Sequence, residues 1–166
     1  MLNRKEKIIR QLRLQAHPEG GYYSETYRSR ETIHCEGGQF PDRRSYSTAI
    51  YFLLSSGDIS RFHRIQSDEI WHHYEGSPIT IHMIHVNGFY EAKHLGKQLD
   101  NSQEPQLIVR AGTWFGATVD EPESFALCGC TVSPGFEFND FEIGDRHKML
   151  LEFPEHQNII RKLLPD

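Results

Sequence analysis

A chain of 166 residues with 37% hydrophobic and 25% charged side chains carries enough apolar matter for one core and is not a disordered polymer. Its formal net charge of -5 offers no broad basic surface, which argues against nucleic acid and anionic membranes as partners. The longest apolar run, Ala49 to Leu54, is far short of the roughly 20 residues that a spanning helix needs.

The N-terminal stretch, MLNRKEKIIRQLRLQ, lacks the apolar block of a secretory signal and reads as an amphipathic helix. Asn3 and Glu6 have capping-box spacing, Ile8, Ile9 and Leu12 form a narrow apolar stripe, and Pro18 requires the helix to stop by about His17. The HPEGG segment that follows is glycine-rich but precedes a strand rather than a helix. It is therefore expected to be a turn linking helix to strand, not a phosphate cradle.

Short segments rich in β-branched and aromatic residues come next, expected as strands at 22–27, 46–54, 59–65, 69–74, 79–86, 89–94, 106–109, 124–132 and 136–143. Asn87-Gly88 signals a type I′ hairpin, and Gly57-Asp58, Gly76-Ser77-Pro78 and Ser133-Pro134-Gly135 mark further turns. The acidic run Glu137, Asp140, Glu142 and Asp145 lacks a calcium loop and is expected on a solvated strand face. A last helix should start at Pro154, present Ile159, Ile160, Leu163 and Leu164 on one face, and end before Pro165. No repeat or linker divides the chain, so a single all-β domain over 1–166, a sandwich or barrel with a helix at each end, is expected. The three cysteines, Cys35, Cys128 and Cys130, form no paired framework or zinc spacing. Cys128 and Cys130 would share one strand face, which suits reduced thiols in a cytoplasmic protein.

The densest chemistry lies in Gly57–Gly76, GDISRFHRIQSDEIWHHYEG. Alternation along two strands would put Arg61, His63, Glu69, Trp71 and His73 on one inner wall. In this stretch the sequence resembles the cupin superfamily. Gly57, His63, Glu69 and Gly76 stand at the spacings of the first cupin motif, with Ile65 in place of its second histidine. RAGTWF resembles the second motif, with Gly112 kept, Arg110 in place of proline and Phe115 in place of histidine. HPEGGYYSETYRS, SDEIWHHYEG and VSPGFEFNDFEIGD further resemble the DUF985 (cupin_5) branch.

The resemblance implies a double-stranded β-helix (a jelly-roll barrel), a homodimer, and a pocket for a small polar molecule inside the barrel. Metal-dependent cupins use three histidines and a glutamate, of which His63 and Glu69 remain. The expectation is therefore no cofactor, although His63, Glu69 and His73 could rebuild a divalent-metal site. Metal-free sugar-nucleotide epimerases of the RmlC type imply another use. There His63 would act as base with Glu69 as its orienting partner and a tyrosine (Tyr22, Tyr23, Tyr46, Tyr51 or Tyr74) as acid. Arg61, Trp71, His73 and Phe115 would bind the ligand. A non-catalytic ligand-binding barrel and a metal-dependent enzyme are the alternatives.

Overall fold

The computed structural model describes residues 3–34, 40 and 42–166. Helix α1 (Arg4–Gln11) begins with the expected capping box: Asn3 accepts from the Glu6 amide, and Glu6 accepts from the Asn3 amide. It stops well before Pro18, where Arg13 takes a positive φ of 53°. Ile8 packs on Leu14, Leu53 and Leu127, so α1 covers one end of the barrel's outer surface.

The strands are β1 (Gln15–Ala16), β2 (Tyr22–Arg28), β3 (Thr32–Ile33), β4 (Arg44–Ser45), β5 (Thr48–Ser55), β6 (Ile59–Arg64) and β7 (Asp68–Gly76). They continue with β8 (Ile79–Ile84), β9 (Tyr90–Leu95), β10 (Gln103–Glu104), β11 (Gln106–Val109), β12 (Trp114–Val119), β13 (Phe125–Ser133) and β14 (Glu142–Ile143). One six-stranded sheet runs β1-β2-β5-β13-β7-β11 and a second runs β10-β9-β8-β12-β6-β14, with β3 and β4 as a separate ribbon. The two sheets close on a core that includes Phe52, Leu54, Trp71, Ile81, Met83 and Phe115. This is the double-stranded β-helix expected from the sequence, with helices at both ends. Among the described residues no helix is long and apolar enough to cross a membrane.

Four local expectations are corrected. Strand β12 was not foreseen, because Trp114, Phe115, Gly116 and Ala117 are all buried and show no alternation. Phe115 and Ala117 face the core, while Gly116 lies under Leu163 on the other side, so both faces of β12 are covered. The hairpin at Asn87-Gly88 forms, but Gly88 alone takes a positive φ (83°). His85 N–H donates to the Phe89 carbonyl and Gly88 N–H to the His85 carbonyl, a three-residue loop rather than a type I′ turn. The C-terminal helix from Pro154 is a 3₁₀ turn running into α3 (Gln157–Leu163). A further helix, α2 (Arg146–Glu152), precedes it, capped by the Asp145 side chain on the Lys148 amide.

The fourth correction concerns the expected strand at 136–143, which shrinks to β14 after a 3₁₀ turn at Phe138–Asp140. Its aromatics pack on one another across the barrel mouth, with Phe136–Phe138 ring centroids 5.1 Å apart. Asp140 is not solvated. It accepts two hydrogen bonds from Arg44 (2.8 and 3.2 Å), and both side chains are 4% exposed. Cys128 and Cys130 do share one face, unpaired and inside the core, whereas Cys35 lies outside the described residues.

A buried pair of this kind costs more to break than to replace. Asp140→Ala should therefore lower unfolding stability by about 3–5 kcal/mol, and adding Arg44→Met should recover much of the loss. Urea unfolding of the two variants checks both statements.

Candidate functional site

A cavity of about 150 Å³ opens between the inner face of β2, β5, β13 and β7, the end of β6, the HPEGG turn and the 136–141 segment. His63, Glu69, Trp71 and Cys130 form its buried end, while Gln15, Glu25, Arg28 and Glu137 stand at its mouth. Tyr23, Phe52, Phe136, Phe138 and Phe141 make most of the wall between them.

A break in the pairing of β6 sets which side chains face this cavity. Phe115 and Ala117, two apart on β12, pair with His63 and Ser60, which are three apart on β6. Since both β12 residues face the core, Ser60 and His63 face it too, and one extra residue bulges between them. The bulge displaces Arg61 from the inner wall. Its side chain lines a separate hollow with Lys162 and Asp58, and its Nε has no hydrogen-bond partner among the described residues. Its backbone still serves the site: Arg61 N–H donates to the Glu19 carbonyl (2.8 Å), and the Arg61 carbonyl accepts from His63 Nδ1 (2.7 Å).

Glu19 is the residue that sequence reasoning missed. The HPEGG turn is tight because Gly20 and Gly21 take φ values of 115° and 70°. A Cβ on Gly20 would overlap the Ile59 carbonyl oxygen. That close approach pushes the Glu19 carboxyl inward, where it is 5% exposed. Ser60 Oγ donates to its Oε1 (2.7 Å), and its Oε2 lies 3.2 Å from His63 Nε2 and 3.3 Å from His17 Nδ1. Glycines directly after an acidic residue were the available signal, but a turn was the ordinary reading of them.

The hydrogen bonds fix the protons. His63 Nδ1 must carry one to meet the Arg61 carbonyl. With that nitrogen committed, the contact between Nε2 and Glu19 Oε2 is attractive only when one further proton lies between them. Burial alone would push the Glu19 carboxyl up, but His63, His17 and Ser60 together hold it below the ordinary carboxylate range. Glu69 behaves in the opposite way. Burial, aided by the nearby Glu19, pushes it up to about 8 against the weak opposing effect of the Cys130 thiol. One cavity thus holds two carboxyl groups driven apart in acidity.

Of the residues expected at the site, the structure brings together His63, Glu69 and Trp71. It pairs His63 with Glu19 rather than with Glu69. His73 is buried, but its Nε2 meets the Ser77 carbonyl (2.9 Å) and it does not line the cavity. Phe115 packs against the His63 ring (centroids 4.1 Å apart) without being part of the wall. Tyr23 is the tyrosine that reaches the cavity. Tyr22 packs in the outer cluster beneath α1, Tyr51 packs on Tyr74 at 6.1 Å, and Tyr46 is exposed.

The residues present do not fit a cupin metal centre. Ile65 and Phe115 stand in two of the four positions, His73 is turned away, and both nitrogens of His63 are engaged. Among the described residues no three His, Cys, Asp or Glu side chains gather as a metal-holding group.

A carboxyl whose acidity is weakened by folding binds its proton more tightly in the native state, so stability falls as pH rises. For Glu69 the window runs from about 4.5, the ordinary value, to about 8. Wild-type stability should fall relative to Glu69→Gln across that window, by on the order of 4 kcal/mol, as measured by denaturant unfolding at stepped pH.

Comparison with known proteins agrees with this architecture. A hypothetical protein from Leishmania major superposes with a TM-score of 0.92 and 33% identity, covering 99% of this chain and 100% of that one. Protein SO0799 from Shewanella oneidensis gives 0.88 and 36%, with both chains covered in full. The uncharacterized protein YML079W of Saccharomyces cerevisiae is 28% identical over 146 residues, 81% of this chain and 72% of the yeast protein. The Cupin_5 family, described as Cupin superfamily (DUF985), matches residues 6–144, and the chain belongs to it.

Proposed function

We propose that this protein is an enzyme that moves a proton on a small, sugar-sized molecule held inside the barrel, an isomerase- or epimerase-type reaction. The observation that carries this reading is the pair of carboxyl groups in one cavity, Glu19 ionised beside His63 and Glu69 protonated beside Cys130. Groups whose surroundings separate their acidities in this way supply a base and an acid at the same pH.

The reading assigns roles that differ from those the sequence suggests. The Glu19–His63 pair takes a proton from a carbon next to a carbonyl. The proton goes to the Glu19 carboxylate, while His63, whose ring is held by the Arg61 carbonyl, keeps the Nε2 proton it already carries. Glu69 gives its proton to the carbonyl oxygen, leaving an enol, and reversal on either carbon returns both protons. The aromatic wall positions the ring and excludes water. Among the described residues, Arg28 is the one arginine or lysine in the lining, and it is already bound by Glu25 and Glu137. A compact ring therefore suits the cavity better than a nucleotide diphosphate.

The test is to incubate the protein in D₂O with a panel of aldo and keto sugars and follow C–H loss by NMR. Glu19→Gln and Glu69→Gln should each slow exchange by about 10²–10⁴-fold while the barrel stays folded. Exchange that persists in either folded variant overturns the assignment, and a ligand bound without exchange marks a non-catalytic pocket. Activity should also decline as pH rises through about 8, where Glu69 loses its proton.

A further inference from the structure

The lining of the cavity has an uneven charge balance. Four carboxyl groups reach it, from Glu19, Glu25, Glu69 and Glu137. The one proton that the 3.2 Å contact between Glu19 and His63 requires leaves that pair neutral as a unit. At the mouth, two carboxylates face the single guanidinium of Arg28. Arg28 Nε and Nη2 donate to Glu25 (3.1 and 2.9 Å), Nη1 donates to Glu137 (2.7 Å), and Nη2 also donates to the Phe136 carbonyl (3.1 Å). Each of its nitrogens is therefore already engaged, and one carboxylate remains unbalanced.

Among the described residues, the deep end offers an anion no free positive group either. Among the described residues, the hydrogen-bonding partner of the Glu69 carboxyl is the thiol of Cys130, a weak donor. Trp71, 1% exposed, lines the cavity with an indole N–H that meets no acceptor among the described residues. Around these groups stand the rings of Tyr23, Phe52, Phe136, Phe138 and Phe141, whose negative faces attract cations. An anion entering this space would lose its water and find no free positive group.

Resting on the reading of the barrel interior as the ligand site, we infer that the ligand is a small cation, a single ring bearing a protonated amine, such as an amino sugar. A cavity of about 150 Å³ has room for one six-membered ring. The amine lies against Glu137, the mouth carboxylate that Arg28 holds by a single nitrogen, and against the aromatic faces, while an oxygen of the same ring accepts from the Trp71 N–H and Glu69 keeps its proton.

Three probes of one size separate the possibilities: cyclohexylamine, cyclohexanol and cyclohexanecarboxylate, titrated against the full chain with tryptophan fluorescence as readout. The protein has two tryptophans, so a Trp71→Phe variant identifies the signal that comes from the cavity. The amine should bind about tenfold more tightly than the alcohol, and the carboxylate most weakly. Glu137→Gln should bring the amine's affinity down toward that of the alcohol. If the alcohol binds as tightly as the amine, or the carboxylate binds best, the cation inference falls while the ligand site stands. If none of the three saturates, or the signal survives Trp71→Phe, the barrel interior is not the ligand site and both readings fall.

Discussion

The backbone of Arg61 joins the two halves of the site. Its N–H holds the Glu19 carbonyl and its carbonyl holds the His63 ring, so one peptide segment fixes the carboxylate and the imidazole against each other. That segment can do so because β6 carries one residue more than its partner β12 over the same span. Without the bulge, strand alternation would send Ser60 and His63 to opposite faces, and Glu19 would lose either its hydroxyl donor or its imidazole.

The rest of the barrel supports this arrangement. The two sheets supply a rigid aromatic and aliphatic floor, on which Phe115 and Phe52 meet Trp71 edge to face. The closure over the mouth is of a different kind. The 136–141 segment has little sheet pairing and is tied down by charges, Asp140 to Arg44 in the interior and Glu137 to Arg28 at the surface. His17 joins the two parts, since its ring contacts both Tyr23 on β2 and Phe138 on the closing segment. A site built this way has a fixed base and a cover held by ion pairs.

Placed against metal-dependent cupins, the barrel has kept the positions and changed their chemistry. His63 and Glu69 remain where a metal would draw on them, but Ile65 and Phe115 remove two donors, and Glu19 arrives from the N-terminal turn to occupy the imidazole. Glu69, freed of a cation, is left in an apolar setting that favours its protonated form. On the proposed reading, the two positions that ligate a metal in those cupins handle protons here.

The sequence by itself determined the fold class, most strand positions, the capped N-terminal helix, and the presence of His63, Glu69 and Trp71 at the buried end of the barrel. Those features follow from alternation, turn chemistry and motif spacing, all of which act over a few residues. Other features were decided only by the tertiary structure. Strand β12 was hidden because burial on both faces removes its period, and the 136–141 aromatics looked like a strand because the same side chains suit a cover. Arg61 left the expected wall because a bulge in β6 breaks the two-residue period, whereas His73 keeps the face of Glu69 and Trp71 but lies beyond the cavity, bonded to the Ser77 carbonyl. Glu19, more than forty positions from its partner His63, came into the site through a double-glycine turn closing on β6. Alternation reports which face a side chain takes only while the ladder is regular, and this site is built where the ladder is not.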